Sequence, residues 1–542
     1  MFFRPLLFVV AGVITACAGS AQHATEPASL DLILAGGTVH DGTGAAGRRL
    51  DVGIAGGRIT ALGDLTGVVA TRRIDVTGLC IAPGFIDTHA HADASVLRRP
   101  AAANFLAMGV TTIVTGNCGN SMRDLGRHFK SLDKRRPAVN YASLIGHNTV
   151  RRAAMGTANR RPTKAELETM EKLVDKAMRD GAMGLSTGLI YVPGTYSETS
   201  ELIALAKVAG RYSGLYVSHM RNENDHVLKS IDEALRIGRE AGVHVHLSHL
   251  KASGRKNWGR GKDIVAKLEK ARADGARITG DQYAYAASST GIDVLFPTDA
   301  LGVGRKAFAR KLEEDEGFRA KMHAALITKM DKVAFGDFAW CQVSYAKNNP
   351  EVSGKNLKQV AKIFFGRDDR DSQADAAIKL FADTRGDARV NMVFHSMSEE
   401  DVVTIMQKSF VGVACDAGIR ASKGVSKPHP RGNGNNARVL AYFVREKGVL
   451  SLPLAIHKMT ELPAKVFGLQ KRGLVRKSYH ADLTVFDAKK VSDRATYEDP
   501  RRSPTGIPWV LVNGRIVIEK GVLTGTRPGR VLRHAKKAAK VK

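Results

Sequence analysis

Pro83-Gly84-Phe85-Ile86-Asp87-Thr88-His89-Ala90-His91-Ala92-Asp93 is the stretch that decides the reading of this chain. A short apolar run ends in two imidazoles one residue apart. In extended backbone, residues i and i+2 point to the same side, so both rings can face one point in space. Neutral imidazole is the commonest side-chain ligand of a catalytic transition metal. The expectation is a strand that delivers His89 and His91 to a metal site.

The same event recurs downstream. Thr163-Lys164-Ala165-Glu166 is a capping box, and Leu167, Met170, Leu173, Val174 and Ala177 follow at helical spacing until Gly181. Further helices precede Leu215–Ser218, Val243–Ser248 and Ile278–Gly280. Strands that alternate with helices imply a parallel sheet with right-handed crossovers. So many units predict an α/β fold, a (β/α)8 TIM-type barrel, over an open doubly wound sheet. The residues just past each strand matter most: His89 and His91, then Cys118, His219, His249, Asp281 with Tyr283, and Asp416. In a barrel these ends share one rim, where barrel enzymes place their sites. Thiolate and imidazole suit zinc, and a catalytic zinc keeps one position open for water. Asp416 is placed to take a proton from that water and return it to a leaving amine.

The ends of the chain read differently. Leu32-Ile33-Leu34 and Val52-Gly53-Ile54 near the start, and Leu483–Asp487 and Val510–Val517 near the end, are short strands between glycine turns. They predict a small β-sandwich built from both chain ends, residues 30–83 and 471–528, around a barrel at 84–470. Residues 1–17 read as a lipoprotein-type export signal: an arginine, the apolar run Leu6–Val13, then Ile14-Thr15-Ala16-Cys17. A lipid anchor at Cys17 and a bacterial periplasmic address are the resulting expectations, with 18–29 as a linker. Four other cysteines, Cys80, Cys118, Cys341 and Cys415, show no disulfide framework. With 82 Lys+Arg against 53 Asp+Glu, the net charge of +29 favours acidic partners. No nucleic-acid module is visible, and the basic tail at 529–542 reads as a solvated, frayed end.

Gly84–His91 resembles the opening of the amidohydrolase superfamily, and Thr115-Gly116-Asn117-Cys118-Gly119 narrows the resemblance to its D-aminoacylase (N-acyl-D-amino-acid deacylase) branch. Gly146–Arg151, Ser218–Glu223, Ser248–Lys251 and His429-Pro430-Arg431 agree with it. The resemblance implies one tightly bound zinc on Cys118, His219 and His249, and a second, weaker position on His89 and His91. It implies Asp416 as catalytic acid/base, and Lys251, Tyr283 and Arg431 as the grip on a substrate carboxylate. An insertion over the site is expected at about 287–354. The segment after Asp416 is longer and more basic than the family pattern, with Arg420, Lys423 and Lys427, and Cys415 stands where serine is commoner. The implied reaction is zinc-dependent hydrolysis of N-acyl-D-amino acids. Two alternatives stand beside it: a dipeptidase or deacetylase of D-amino-acid-containing cell-wall fragments, and a tethered binding protein without catalysis.

Overall fold

The computed structural model of the chain describes residues 1–2 and 29–534. The apolar run Leu6–Val13, Cys17, nearly all of the linker and residues 535–542 lie outside the described residues.

The barrel strands are β1 (Phe85–Asp87), β2 (Val110–Thr115), β3 (Asn140–Ser143, resumed at Ile145–Gly146), β4 (Gly184–Gly188), β5 (Leu215–His219), β6 (Val245–Leu247), β7 (Ile278–Gln282) and β8 (Val411–Val413). All neighbouring pairs are parallel. Past the end of β8 the ring closes onto β1, where Ala90 pairs with Ala417 and His91 N donates to Ala417 O at 2.9 Å. Strands buried on both faces explain the near-continuous apolar runs in the sequence. The crossover helix Lys164–Asp180 shows how local signals set these units. The Thr163 hydroxyl accepts from Glu166 N, the Glu166 carboxylate accepts from Thr163 N, and Gly181 (φ 109°) ends the helix. Its face of Met170, Val174, Ala177 and Met178 is buried in the barrel core.

The two ends of the chain meet in the small domain. Cys80–Pro83 pairs antiparallel with Leu483–Phe486 at the centre of a seven-stranded sheet. A four-stranded sheet of residues 30–75 packs on it, burying Leu34, Val52, Ile54, Ile81, Leu483 and Leu511 between them.

Two expectations need correction. The insertion does not end near 354; it continues to Phe394. Strand Val390–Phe394 is the middle strand of its antiparallel sheet, between Ser288–Gly291 and Cys341–Ala346. Helices Leu357–Phe365 and Arg370–Ala382 bury Leu357, Val360 and Phe381 in the same core as Phe308 and Phe338. Helix followed by strand in this stretch mimics the barrel's own rhythm. The tail also departs from expectation, since residues 529–534 are not frayed. Val531 pairs in parallel with Tyr141, with Tyr141 N donating to Arg530 O (2.9 Å) and Leu532 N to Tyr141 O (2.7 Å). Backbone groups supply these bonds, so the basic side chains around them gave no hint.

Candidate metal centre

The expected metal ligands and Asp416 stand at or just past the ends of strands, several of them where the chain turns sharply. Cys118 (φ 51°), His249 (φ 36°) and Asp416 (φ 49°) all occupy the left-handed region, which costs a residue with a Cβ about 1–3 kcal/mol. The surroundings hold them there. Asp281 Oδ1 accepts from His249 N at 2.7 Å, and Asp87 Oδ2 accepts from Cys415 N at 2.9 Å while Asp87 Oδ1 accepts from His89 N. Two buried carboxylates thus pin β1, β6, β7 and β8 together at the rim.

The structure brings all five expected ligands together. Cys118 Sγ lies 3.5 Å from His219 Nδ1, 3.6 Å from His249 Nε2, 3.2 Å from His89 Nε2 and 3.9 Å from His91 Nε2. A thiolate at about 2.3 Å and an imidazole at about 2.0 Å on one tetrahedral zinc stand roughly 3.5 Å apart. Cys118 with His219 and His249 matches that span twice. Cys118, His219, His249 and His89 are buried, whereas the His91 side chain is 37% exposed. Burial works against a charged thiolate, but the imidazoles of His89 and His219 outweigh it and hold the Cys118 thiol well below its ordinary pKa. A second group forms from His89, His91 and Asp416, with Asp416 Oδ1 2.9 Å from His91 Nε2 and 3.7 Å from His89 Nε2.

Glu223 is the residue that sequence reasoning did not single out. Its carboxylate lies 3.0 Å from His249 Nδ1, 2.7 Å from Lys251 Nζ and 3.6 Å from His219 Nε2. Burial would raise its pKa; His219, Lys251 and His249 more than reverse that and keep it ionised. The i, i+4 spacing from His219 is the only trace of this in the sequence. Lys251 is at the site, its ammonium beside Glu223, His249 Nδ1 (2.7 Å) and His249 O (2.8 Å). With His249 Nε2 turned to Cys118, its proton sits on Nδ1 and faces Glu223, so one Lys251 donor stays available on the cavity wall.

Asp416 faces the metal ligands on one side and Arg431 on the other, with Arg431 Nη2 2.9 Å from Asp416 Oδ2. Burial pushes its pKa up, but Arg431 and then His89 and His91 hold the carboxyl well below the usual range. The Nε and Nη1 of Arg431 are buried without a partner. Its guanidinium lies over the ring of Tyr283 at 4.4 Å, a cation–π contact that fixes its plane. The Tyr283 hydroxyl reaches Met397 Sδ at 3.6 Å. These groups open on a cavity of about 1150 Å³ roofed by the insertion, whose Thr290 hydroxyl bonds Tyr191 at 3.0 Å.

The amidohydrolase family model matches residues 72–332 and 421–518. The N-acyl-D-glutamate deacylase of Alcaligenes xylosoxydans xylosoxydans is 36% identical over 527 residues, 93% of this chain and 97% of that protein. The D-aminoacylase of the same organism is 36% identical over 535 residues, 94% of this chain and 99% of that protein. The solved structure of N-acyl-D-glutamate deacylase from Bordetella bronchiseptica, complexed with zinc and a phosphonate mimic of the tetrahedral intermediate, superposes with a TM-score of 0.79. It is 33% identical and covers 93% of this chain and 100% of its own. With the family model matched over most of its length and relatives of 36% identity covered almost end to end, the chain belongs to the amidohydrolase family.

Proposed function

We propose that this protein is a zinc-dependent hydrolase of N-acyl-D-amino acids, releasing a carboxylate and a D-amino acid. One observation carries the reading: Cys118 stands at zinc spacing from both His219 and His249, beside an ionised Asp416, with the partly unpartnered guanidinium of Arg431 on the wall of the same cavity. The similarity to two deacylases over more than nine-tenths of the chain supports it.

The donor set fits zinc in type and spacing, so Cys118, His219 and His249 would hold it, and His89 with His91 would offer a weaker second place. When bound, zinc supplies polarisation of the amide carbonyl and lowers the pKa of a nearby water. The chain's own residues do the rest. Asp416, kept ionised by Arg431, accepts the proton of the attacking water and delivers it to the nitrogen of the departing amine. The unpartnered Nε and Nη1 of Arg431 each have a hydrogen to offer the substrate carboxylate, with Tyr283 fixing the guanidinium plane. Lys251 and Glu223 act behind His249 by orienting its ring and balancing its charge.

Steady-state hydrolysis of N-acetyl-D- and N-acetyl-L-amino acids and of D-containing dipeptides tests this. Faster turnover of the N-acetyl-D series with zinc supports it. Turnover of dipeptides alone would replace it with the cell-wall fragment reading, and no turnover of any amide would favour a binding protein.

The proposal includes export and a lipid anchor at Cys17, which rest on the sequence from Met1 to Cys17. Radiolabelled palmitate should enter the full chain expressed in a bacterium and fail to enter Cys17→Ser. Equal labelling would remove the anchor from the proposal.

A further inference from the structure

The loop between Asp416 and Arg431 carries a half-buried cation, Arg420, that has no ion-pair partner among the described residues. Arg420 is anchored at its backbone, where its N–H donates to Asn104 Oδ1 at 3.1 Å. Asn104 Nδ2 in turn donates to Gly418 O (3.3 Å) and Gly432 O (2.7 Å). The Arg420 stem then crosses Gly432, so close that a Cβ added there would stand 3.3 Å from Arg420 Nε. This lays the guanidinium alongside Arg431 on the wall of the same cavity.

Its Nε is fully shielded and has no acceptor, and among the described residues the guanidinium has neither an ion-pair partner nor a hydrogen bond. Other cations of the cavity wall are answered: Lys251 by Glu223, Arg221 by Glu233, Arg305 by Asp293, Arg431 Nη2 by Asp416, and Lys329 by the Val294 carbonyl. Arg152 and Arg389 also line the cavity but are exposed, so water satisfies them. Burial, and then the neighbouring Arg431 charge, pull the Arg420 pKa down to about 10, only partly offset by Cys415 and Asp416. Burying charge without a partner is costly, and an incoming anion relieves that cost.

Arg431 Nη2 is engaged by Asp416 and by Ser289 O, which leaves its Nε and Nη1 for one substrate carboxylate. Arg420, packed against Gly432, adds a second guanidinium to the same wall. We propose that Arg420 binds a second carboxylate of the substrate, making this enzyme selective for dicarboxylate N-acyl-D-amino acids. The proposal rests on the deacylase reading above. The second carboxylate can belong to the amino-acid side chain or to the acyl group; the planar fork of arginine suits either.

The test is kcat/KM of the zinc enzyme for N-acetyl-D-glutamate and N-acetyl-D-aspartate (side-chain source), N-succinyl-D-methionine (acyl source) and N-acetyl-D-methionine (reference). At least one dicarboxylate should exceed the reference by about tenfold, and the source is the one that does. In Arg420→Met that ratio should fall by about tenfold to a hundredfold, the size of a lost charge-assisted pair, mainly through KM, with Arg420→Lys between. A wild-type preference for N-acetyl-D-methionine over all three dicarboxylates overturns the proposal, as does an unchanged ratio in folded, zinc-loaded Arg420→Met. Absence of turnover on every N-acyl-D substrate would sink the deacylase reading instead. Calorimetric binding of glutarate, which needs no turnover, then decides Arg420 alone: at least tenfold weaker binding in Arg420→Met supports it, and equal binding overturns it.

Discussion

Replacing Glu223 with glutamine keeps the shape of the site and removes one charge. The wild-type carboxylate is only 8% exposed and touches His249 Nδ1 at 3.0 Å and Lys251 Nζ at 2.7 Å. Glutamine retains one acceptor oxygen, so one of the two contacts survives and the other loses its acceptor. A hydrogen bond to a charged group is worth about 1.5–3 kcal/mol. The remaining amide NH2 faces a donor, and His249 loses the anion that raises its basicity as a ligand. The expected outcome is zinc affinity weaker by roughly tenfold to a hundredfold, in line with outer carboxylates behind metal-bound histidines. Competition against a chelator of known affinity, on protein whose circular dichroism matches wild type, measures it. The kcat at saturating zinc should fall far less than the affinity, because Glu223 does not touch the reacting atoms. Zinc affinity within twofold of wild type would show that Glu223 is a bystander and that His249 is not oriented through its Nδ1.

Asp416→Asn should lower kcat by about a thousandfold, within the range of a lost general acid–base group, while zinc content stays at the wild-type level; a rate within tenfold of wild type refutes the role. Lys458 is buried, donates to Lys408 O, and burial lowers its pKa to about 7 against an ordinary value of about 10.4. Between those values the unfolded chain holds a proton that the folded chain lacks, so stability should rise with pH and the penalty should be complete below pH 7. Urea unfolding of Lys458→Met should therefore lack a rise of about 2 kcal/mol that wild type gains from pH 7 to pH 9; parallel curves would refute the buried charge. Ending the chain at Pro528 removes the bonds of Gly529, Arg530, Leu532 and His534 to Pro137, Tyr141 and Gly181. At about 1 kcal/mol each, these bonds predict a melting temperature lower by several degrees, and an unchanged one would show that the segment adds nothing.

The rim was legible because barrel strands announce themselves twice, once as apolar runs and once by the residue just beyond. Phe85–Asp87 leads to His89, Val110–Thr115 to Cys118 and Val411–Val413 to Asp416, and the structure sets all of these within one cluster. The sandwich was legible because its two halves share a texture of short strands and glycine turns. The rest failed for identifiable reasons. Val390–Phe394 reads like another barrel strand, and only its antiparallel neighbours on both sides reveal the insertion's true end. Val531 joins Tyr141 through backbone groups, to which composition is blind. Glu223 lies in a loop without periodicity, and its importance comes from Lys251 and His249 on the next strand's end. Lys251 and Arg431 look alike in sequence as cations near strand ends. Packing separates them: Lys251 pairs with Glu223 behind His249, whereas Arg431 pairs with Asp416 and keeps Nε and Nη1 unpartnered.

The two metal positions are not equivalent, and the inequality comes from the groups that stand behind each. Cys118, His219 and His249 are buried, Cys118 stands at zinc spacing from both imidazoles, and Glu223 backs them while pairing with Lys251. His89, His91 and Asp416 form a looser set. His91 is partly exposed, only His89 has a carboxylate behind it (Asp281 Oδ2, 3.6 Å from its Nδ1), and Asp416 is shared with Arg431. Asp416 is also the group assigned to carry the proton. A carboxylate oxygen that donates its lone pair to a cation is a poorer base, because the same electrons must bind the proton. Filling the weaker position would therefore draw on the carboxylate that the reaction uses. The His89-x-His91 pair that marks the barrel's first strand thus lies beside the proposed zinc site and shares Asp416 with it.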